Sequence, residues 1–298
     1  MSEPTAPPVD VIHDIGYRHY EGERLGHGYA VRSLFTQTLR GSFGLGRSIK
    51  SKILPMGMLA LICLPAGIIV AVAVYTKMSK LPVEYSHYLD SMQFVIALFV
   101  ASQAPVAVSR DLRFMTLPLY FSRPLTSRDY VRAKFGAMFC SVLILTALPV
   151  LIMWIGTLLA QMSFGYNLRH VAYGLVAAAL YALLYSAIGV AIASLTPRRG
   201  FGVAAIIAVM LISLAVSGII YAVLDNSGHI GVAPWANMIS PARLVDSTVT
   251  WLFGLASITS SDAGDMVPST FGGWVFLAEI ALVPAAAYGL MVRRYRKI

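Results

Sequence analysis

The sequence predicts an all-α integral membrane protein with six transmembrane helices. Hydrophobic residues make up 57% of the 298 residues and charged residues only 12%, with a mean hydropathy of +0.71. A soluble domain carries about 25% charged residues, so a soluble globular protein is excluded. The long uninterrupted apolar runs also exclude a membrane β-barrel, whose short strands alternate polar and apolar side chains.

Six apolar runs are long enough to cross the roughly 30 Å of a bilayer's hydrocarbon core as helices. Within them the only formally charged residue is Glu279. The predicted spans are residues 53–75, 91–109, 135–160, 171–195, 201–224 and 272–292. Together they form a predicted transmembrane domain over residues 51–298.

The distribution of basic residues predicts the orientation of these helices. Of the 23 Lys and Arg residues, 19 fall in alternate non-spanning segments that include both termini. Basic residues are retained on the cytoplasmic side, so both termini are expected inside a multi-pass protein of the cytoplasmic membrane. The net charge of +9 then reflects topology, and no nucleic-acid partner is expected. A cleavable signal peptide is not expected either, because 52 residues precede the first run.

The region before the first span has two predicted parts. Residues 1–28 form a cytoplasmic leader, partly disordered because three prolines fall in its first eight residues. Residues 29–50 form an amphipathic helix, with apolar positions at a helical period and Arg32 and Arg40 towards the other face. Such a helix is expected to lie in the cytoplasmic membrane interface. The alternative is a solvent-exposed helix of a small cytoplasmic domain.

The segment from Gly41 to Ser48 has the spacing of a phosphate-binding P-loop, with Arg47 in place of the usual Lys. A P-loop joins a buried strand to a helix inside an α/β domain, whereas this segment leads almost directly into the first span. We therefore interpret it as a Gly-rich bend in a membrane-surface helix. No ATPase or other enzymatic activity is expected of this chain.

The basic loop, residues 110–134, joins the second and third spans and carries six Lys and Arg residues. Its apolar content predicts a short helix, because a solvated linker would not keep Leu112, Met115, Leu117, Leu119 and Tyr120. The Ser122–Leu125 segment should turn the chain, since Pro124 disfavours a helical conformation of the residue before it. Thr126 is then expected to cap the next helix, with Asp129 three residues later completing a capping box.

Three segments carry recognisable motifs. The basic loop reads RDLRFMTLPLYFSRPLTSRDYVRAK, residues 194–199 read SLTPRR, and residues 239–254 contain ISPARLVD and WLFG. They resemble those of the type-2 ABC permeases, membrane subunits of ATP-driven exporters, whose loop has the pattern RD(R)xxxTLxxLLSRPLSRxxYxxxK. The similarity covers the chain after about residue 28, and residues 15–26 also resemble the leader of certain bacterial members.

The resemblance implies that the basic loop is a coupling helix, which docks on a separate ATPase subunit present in two copies. It also implies that residues 29–50 are the connecting helix, and that a second permease, identical or paralogous, completes the exporter. This chain would bind no cofactor, because ATP and Mg would bind the ATPase. The alternative for the arginines is that they serve only the positive-inside bias.

The implied docking residues are Arg110, Asp111, Leu112, Arg113, Met115, Thr116, Leu117, Pro118, Tyr120, Arg123 and Arg128. The second cytoplasmic loop would contribute Thr196, Arg198 and Arg199.

The segment 225–271 is the longest that is predicted to lie outside. Its apolar residues favour short helices that sit in the interface or dip into the outer leaflet, with Trp235 and Trp251 as anchors. In the resembled family this region closes the exit of the transport pathway. The alternative is an amphipathic surface helix with no gating role.

Polar residues within the predicted spans are candidates for the pathway or gate. Burying the carboxylate of Glu279 is costly, although Trp274 at the interface would place it only about 7.5 Å deep. Positions that either line a cavity or serve helix packing are Gln103, Ser213, Ser217 and Tyr221. Neither the two cysteines nor the six histidines have the spacing of a disulfide framework or metal site, so no metal is expected.

Two functional classes are therefore open. The first is the permease subunit of an ATP-binding-cassette exporter, which moves its substrate by alternating access and carries no catalytic residue. The second is an ATP-independent secondary transporter or channel. Secondary transporters usually show intramembrane acids or internal repeats, and this sequence has one such acid and no evident repeat.

Overall fold

The computed structural model describes residues 22, 25–46, 48–78, 80–122, 125–255 and 269–296, and every secondary-structure element among these residues is helical. The helices are α1 (His27–Ser42), α2 (Ile49–Tyr75), α3 (Tyr85–Ser91), α4 (Gln93–Ala107), α5 (Ser109–Arg113), α6 (Leu117–Phe121), α7 (Ser127–Leu159), α8 (Phe164–Leu195), α9 (Arg199–Asn226), α10 (Pro241–Phe253) and α11 (Thr270–Tyr295). A 3₁₀ helix, Ala233–Ile239, lies between α9 and α10.

Six helical segments in the described part of the chain are long and apolar enough to cross a membrane: α2, α4 continued by α5, α7, α8, α9 and α11. The predicted number of helices able to span a membrane is confirmed, and it indicates a multi-pass membrane protein. Some helices are longer than the predicted spans, because hydropathy detects the apolar part and not the helix ends. Thus α7 begins at Ser127, eight residues before the predicted start of the third span.

The prediction of one continuous helix over residues 29–50 is wrong. Helix α1 ends at Ser42 and α2 begins at Ile49. Gly44 and Gly46 adopt left-handed φ angles of +68° and +83°, which end a helix and favour glycine. A Cβ atom at Gly44 would also lie 2.5 Å from the carbonyl oxygen of Ser51, so the bend brings two backbones into close approach.

The centre of the bundle is formed by α4, α7 and α8, the most buried of the six spanning segments. Lipid provides little hydrophobic drive for helix association, so close packing must hold these helices together. Glycines supply it: a Cβ atom at Gly189 on α8 would overlap Val100 on α4, and one at Gly156 on α7 would overlap Val70 on α2. Helices α2, α9 and α11 lie at the periphery and expose apolar side chains such as Leu64.

Helix α1 follows the first turns of α7 and does not cross them. Two contacts show this. His27 on α1 contacts Asp129 on α7, and the ring of Phe35 on α1 lies beside Gly136 on α7. The second contact is eight residues further along α1 and seven residues further along α7. These matched offsets mean that the two helices run side by side in the same direction. The apolar face of α1 packs on protein, with Leu34 only 5% exposed. The predicted position of this helix in the membrane interface stays a prediction.

Candidate functional site

The basic loop lies at one end of the bundle, here called the loop end. It contains two short helices, α5 and α6, where the sequence predicted one. Between them Met115 adopts a positive φ of 49°, a conformation that most non-glycine residues avoid, and the backbone turns sharply. The two helices therefore present side chains in different directions.

A buried ion pair fixes the loop to the third span. Lys134 Nζ lies 2.8 Å from Asp111 Oδ2 and donates a hydrogen bond to the carbonyl oxygen of Ala107 at 2.8 Å. The hydroxyl of Tyr130 donates to the same Asp111 oxygen at 2.8 Å. The ring of Tyr130 packs in turn against that of Tyr295 at the end of α11, with centroids 5.1 Å apart. Asp111 is thus directed into the protein, and the loop is tied to α4, α7 and α11.

The predicted capping box at the start of α7 is confirmed. The backbone N–H of Asp129 donates to Thr126 Oγ1 at 3.3 Å, and the backbone N–H of Thr126 donates to Asp129 Oδ2 at 3.1 Å. His27 Nε2 lies 3.0 Å from the same carboxylate oxygen and so joins the start of α1 to the cap. The loop, α1 and α7 therefore form one connected unit.

Three apolar side chains project from this unit into open space. Phe114 is 64%, Met115 81% and Leu119 69% exposed, and we call them the loop patch. The guanidinium of Arg113 lies over the Phe114 ring, 5.7 Å from its centroid. Large apolar side chains exposed on one loop, with basic side chains beside them, are typical of a protein interaction site.

The structure distributes the predicted docking residues over three environments. Leu117 is buried at 2% exposure and serves as an internal contact. The exposed members are Arg110, Arg113, Met115, Pro118 and Arg128, and the half-buried ones are Asp111, Leu112, Thr116 and Tyr120. Arg123 lies outside the described residues. Phe114 was not among the predicted docking residues, and Leu119 was noted only for its apolar character, because the turn at Met115 breaks the helical period that ranks such positions.

The second short loop lies at the same end as the basic loop. Ser109, at the start of α5, donates to the carbonyl oxygen of Ala193 near the end of α8 at 2.9 Å. In that second loop Thr196 donates to the carbonyl oxygen of Ile192, while Arg198 and Arg199 are exposed. The predicted second cytoplasmic loop and the basic loop therefore form neighbouring parts of one surface.

A polar cleft of about 210 Å³ lies between α1 and the basic loop. Gln37 and Thr38 line it from α1, and Arg110 and Lys134 line it from the other side. Gln103, a candidate pathway residue, also lines this cleft; it is 5% exposed and donates to Ser102 Oγ at 3.0 Å.

At the opposite end of the bundle, α3 and α10 pack on α8 and bring ionisable side chains together. We call this group the α3–α10 cluster: His87, Asp90, Tyr181, Arg243 and Asp246. His87 Nδ1 lies 3.2 Å from Asp246 Oδ1, and both side chains are under 10% exposed. Tyr181 OH lies 3.4 Å from Asp90 Oδ1 and 3.3 Å from the carbonyl oxygen of Ala242. Tyr181 on α8 therefore bridges α3 and α10.

Burial and the neighbouring carboxylate of Asp246 raise the pKa of Asp90 from its ordinary value of 3.8 to about 6, against the opposing effect of Arg243. Asp90 precedes the second spanning segment and lies outside all six. The sequence showed no sign of this cluster, because its acids come from α3 and α10 and only tertiary packing brings them together. A carboxylate with a raised pKa beside other ionisable side chains is a common mark of functional sites.

The remaining pathway candidates lie on two of the peripheral helices, α9 and α11. Ser213 donates to the carbonyl oxygen of Met210 at 3.0 Å, and Ser217 is fully buried. Tyr221 lies on the same helix, α9, and is half-buried. Glu279 on α11 is half-buried, and its Oε2 atom has no hydrogen-bond partner among the described residues.

The predicted anchors Trp235 and Trp251 are half-buried and pack on α11. The ring of Trp235 lies 6.0 Å from that of Phe276, and the ring of Trp251 lies 5.6 Å from that of Trp274. Both therefore take part in packing within the chain.

Among the described residues no group of three or more His, Cys, Asp and Glu side chains is placed to hold a metal ion. Comparison with protein-family models gives no match to the chain, and no curated protein matches it either.

Proposed function

We propose that this chain is the transmembrane permease subunit of an ATP-binding-cassette exporter, and that the basic loop docks on a separate ATPase. The observation that carries the proposal is the loop patch, an exposed apolar surface on a loop that a buried ion pair ties to a spanning helix. A push on Met115 or Leu119 would be transmitted to α7 through Asp111 and Lys134 rather than absorbed by a flexible linker.

The motif resemblance and the positive-inside distribution support the same proposal. In this proposal the loop end, both termini and the second short loop lie in the cytoplasm, and the chain lies in the cytoplasmic membrane. Two copies of the ATPase would bind ATP and Mg, and a second permease, identical or paralogous, would complete the transport pathway. Substrate would cross by alternating access.

The exporter proposal predicts that charge on the loop patch abolishes ATPase docking. Met115→Asp and Leu119→Asp are expected to release an ATPase subunit that co-purifies with the chain in mild detergent and to abolish its substrate-stimulated ATP hydrolysis. Ile230→Asp is the matched control, since Ile230 is 58% exposed but lies between α9 and the 3₁₀ helix, at the opposite end. Retention of the ATPase by both loop variants would contradict the proposal.

A second candidate is an ATP-independent secondary transporter, which the α3–α10 cluster favours because such proteins use buried acids to couple transport to protons. Vesicles that contain only this chain and an internal pH-sensitive dye distinguish the two. Proton movement that requires the chain but no ATPase supports the secondary transporter, and its absence supports the exporter.

A further inference from the structure

Helices α3 and α10 are both too short to cross a membrane, and both are held against the long helix α8. The contacts that join them are polar: the His87–Asp246 pair, and the hydroxyl of Tyr181 between Asp90 and the carbonyl oxygen of Ala242. Because α10 begins one residue before Ala242, these contacts position its first turns.

The charges around Asp90 are not balanced. From α3 it is faced by His87, from α8 by Tyr181 and Tyr185, and from α10 by Arg243 and Asp246, whereas α4 carries no ionisable residue. Asp90 and Asp246 repel each other when both are ionised.

Among the residues that the structure describes, Arg243 is the only fixed positive charge that acts on Asp90. Its side chain extends towards α9, where a Cβ atom at Gly218 would lie 3.6 Å from Nη2. Its Nε atom has no hydrogen-bond partner among the described residues, and no ion pair within 4 Å joins it to Asp90 there. The positive charge is therefore not placed to neutralise Asp90 directly.

We propose that Asp90 is a proton-binding site that controls the closure of α10 against α3. With Asp90 protonated, the repulsion from Asp246 disappears, the Tyr181 bridge holds, and the α3–α10 contact is closed. With Asp90 ionised, a half-buried carboxylate faces Asp246 and the contact loosens. The raised pKa of Asp90 places this change near pH 6.

The test follows the mobility of α10 as the pH changes. A nitroxide spin label is attached at Leu252→Cys, a position on α10 that is 45% exposed, in a background carrying Cys63→Ser and Cys140→Ser. A nitroxide does not titrate in this range. The immobilised fraction is expected to fall as the pH rises from about one unit below the pKa of Asp90 to about one unit above it.

Two variants decide whether Asp90 is responsible. Asp90→Asn carries no charge and should keep the label immobilised at every pH, provided that size-exclusion elution and helix content match those of the unaltered protein. Glu84→Gln, which removes a carboxylate at the other end of α3, should leave the transition in place. A transition that persists in Asp90→Asn, or one that disappears in Glu84→Gln, would overturn the proposal.

A third variant retains Asp90 and so gives a result even if Asp90→Asn fails to fold. Removing the like charge in Asp246→Asn leaves ionised Asp90 facing no second carboxylate, so the fall in the immobilised fraction should become smaller or move to higher pH; an unchanged fall, or one that moves to lower pH, contradicts the proposal. The spin-label measurement needs neither an ATPase nor a substrate, so its result does not depend on the proposed exporter function.

Discussion

Lys134 Nζ lies 2.8 Å from Asp111 Oδ2, and the two side chains are only 8% and 16% exposed. This ion pair joins the basic loop to α7 where the loop would meet a partner. A buried charge that loses its partner is strongly destabilising, because the remaining charge cannot regain its hydration.

Replacing Lys134 by Met is therefore expected to lower the free energy of unfolding by about 3 kcal/mol, since Asp111 keeps its charge without its partner. Denaturant titration of the detergent-solubilised protein measures the change. Arg132→Gln removes an exposed positive charge two residues away and should change stability by less than about 0.5 kcal/mol. Equal effects of the two substitutions would show that the ion pair does not hold the loop.

The capping box at Thr126 predicts a smaller loss of stability. Thr126→Ala removes the side-chain acceptor for the Asp129 N–H and should lower stability by about 1 kcal/mol. Ser127→Ala, at the first helical position, is the control and should be close to neutral. Because Asp129 also contacts His27, hydrogen exchange at the start of α1 is expected to increase in Thr126→Ala. Unchanged exchange there would mean that the cap and α1 are not linked.

Two glycines on α11 predict opposite outcomes for one substitution. A Cβ atom at Gly273 would overlap the indole ring of Trp251, whereas one at Gly289 would have no neighbour within 4 Å. Gly273→Ala is expected to cost about 1 to 3 kcal/mol through overpacking. Gly289→Ala should be neutral or slightly stabilising, because alanine favours a helix. Thermal unfolding separates the two, and similar melting temperatures would contradict this packing.

The raised pKa of Asp90 predicts that the free energy of unfolding falls as the pH rises. Its pKa is about 6 in the folded protein and 3.8 in its ordinary state, so between these values the folded protein holds the extra proton. The stabilising contribution is complete at the acid end of this window and is lost as the pH rises through 6, amounting to about 2 kcal/mol. Asp90→Asn should remove this dependence on pH, which is measured as the free energy of unfolding at several pH values between 3.8 and about 6. If the free energy of unfolding depends on pH equally strongly in the variant, other groups cause that dependence.

The sequence was most informative where a local pattern decides the structure. Hydropathy located six spans because each helix must satisfy its own backbone hydrogen bonds in lipid. The Thr126–Asp129 box was predictable because its partners are three residues apart. Gly44 and Gly46 marked a bend, but the periodic pattern across them incorrectly suggested one helix.

Side-chain direction in the basic loop was not predictable from the sequence. Leu117 and Leu119 have the same apolar character and lie two residues apart, yet Leu117 is 2% and Leu119 69% exposed. The turn at Met115 and the packing of α6 on the bundle decide which of them faces inward. The composition of the loop patch is a tertiary property for this reason.

By itself the sequence determined a six-span helical membrane protein with a capped, partly apolar loop before its third span, because hydropathy, capping and turn chemistry act over a few neighbouring residues. Only the tertiary structure decided that this loop is tied to α7 by Asp111 and Lys134, and that α1 follows α7. It alone also decided that His87 meets Asp246, 159 residues away. Such contacts depend on how whole helices pack, and no local pattern encodes that packing.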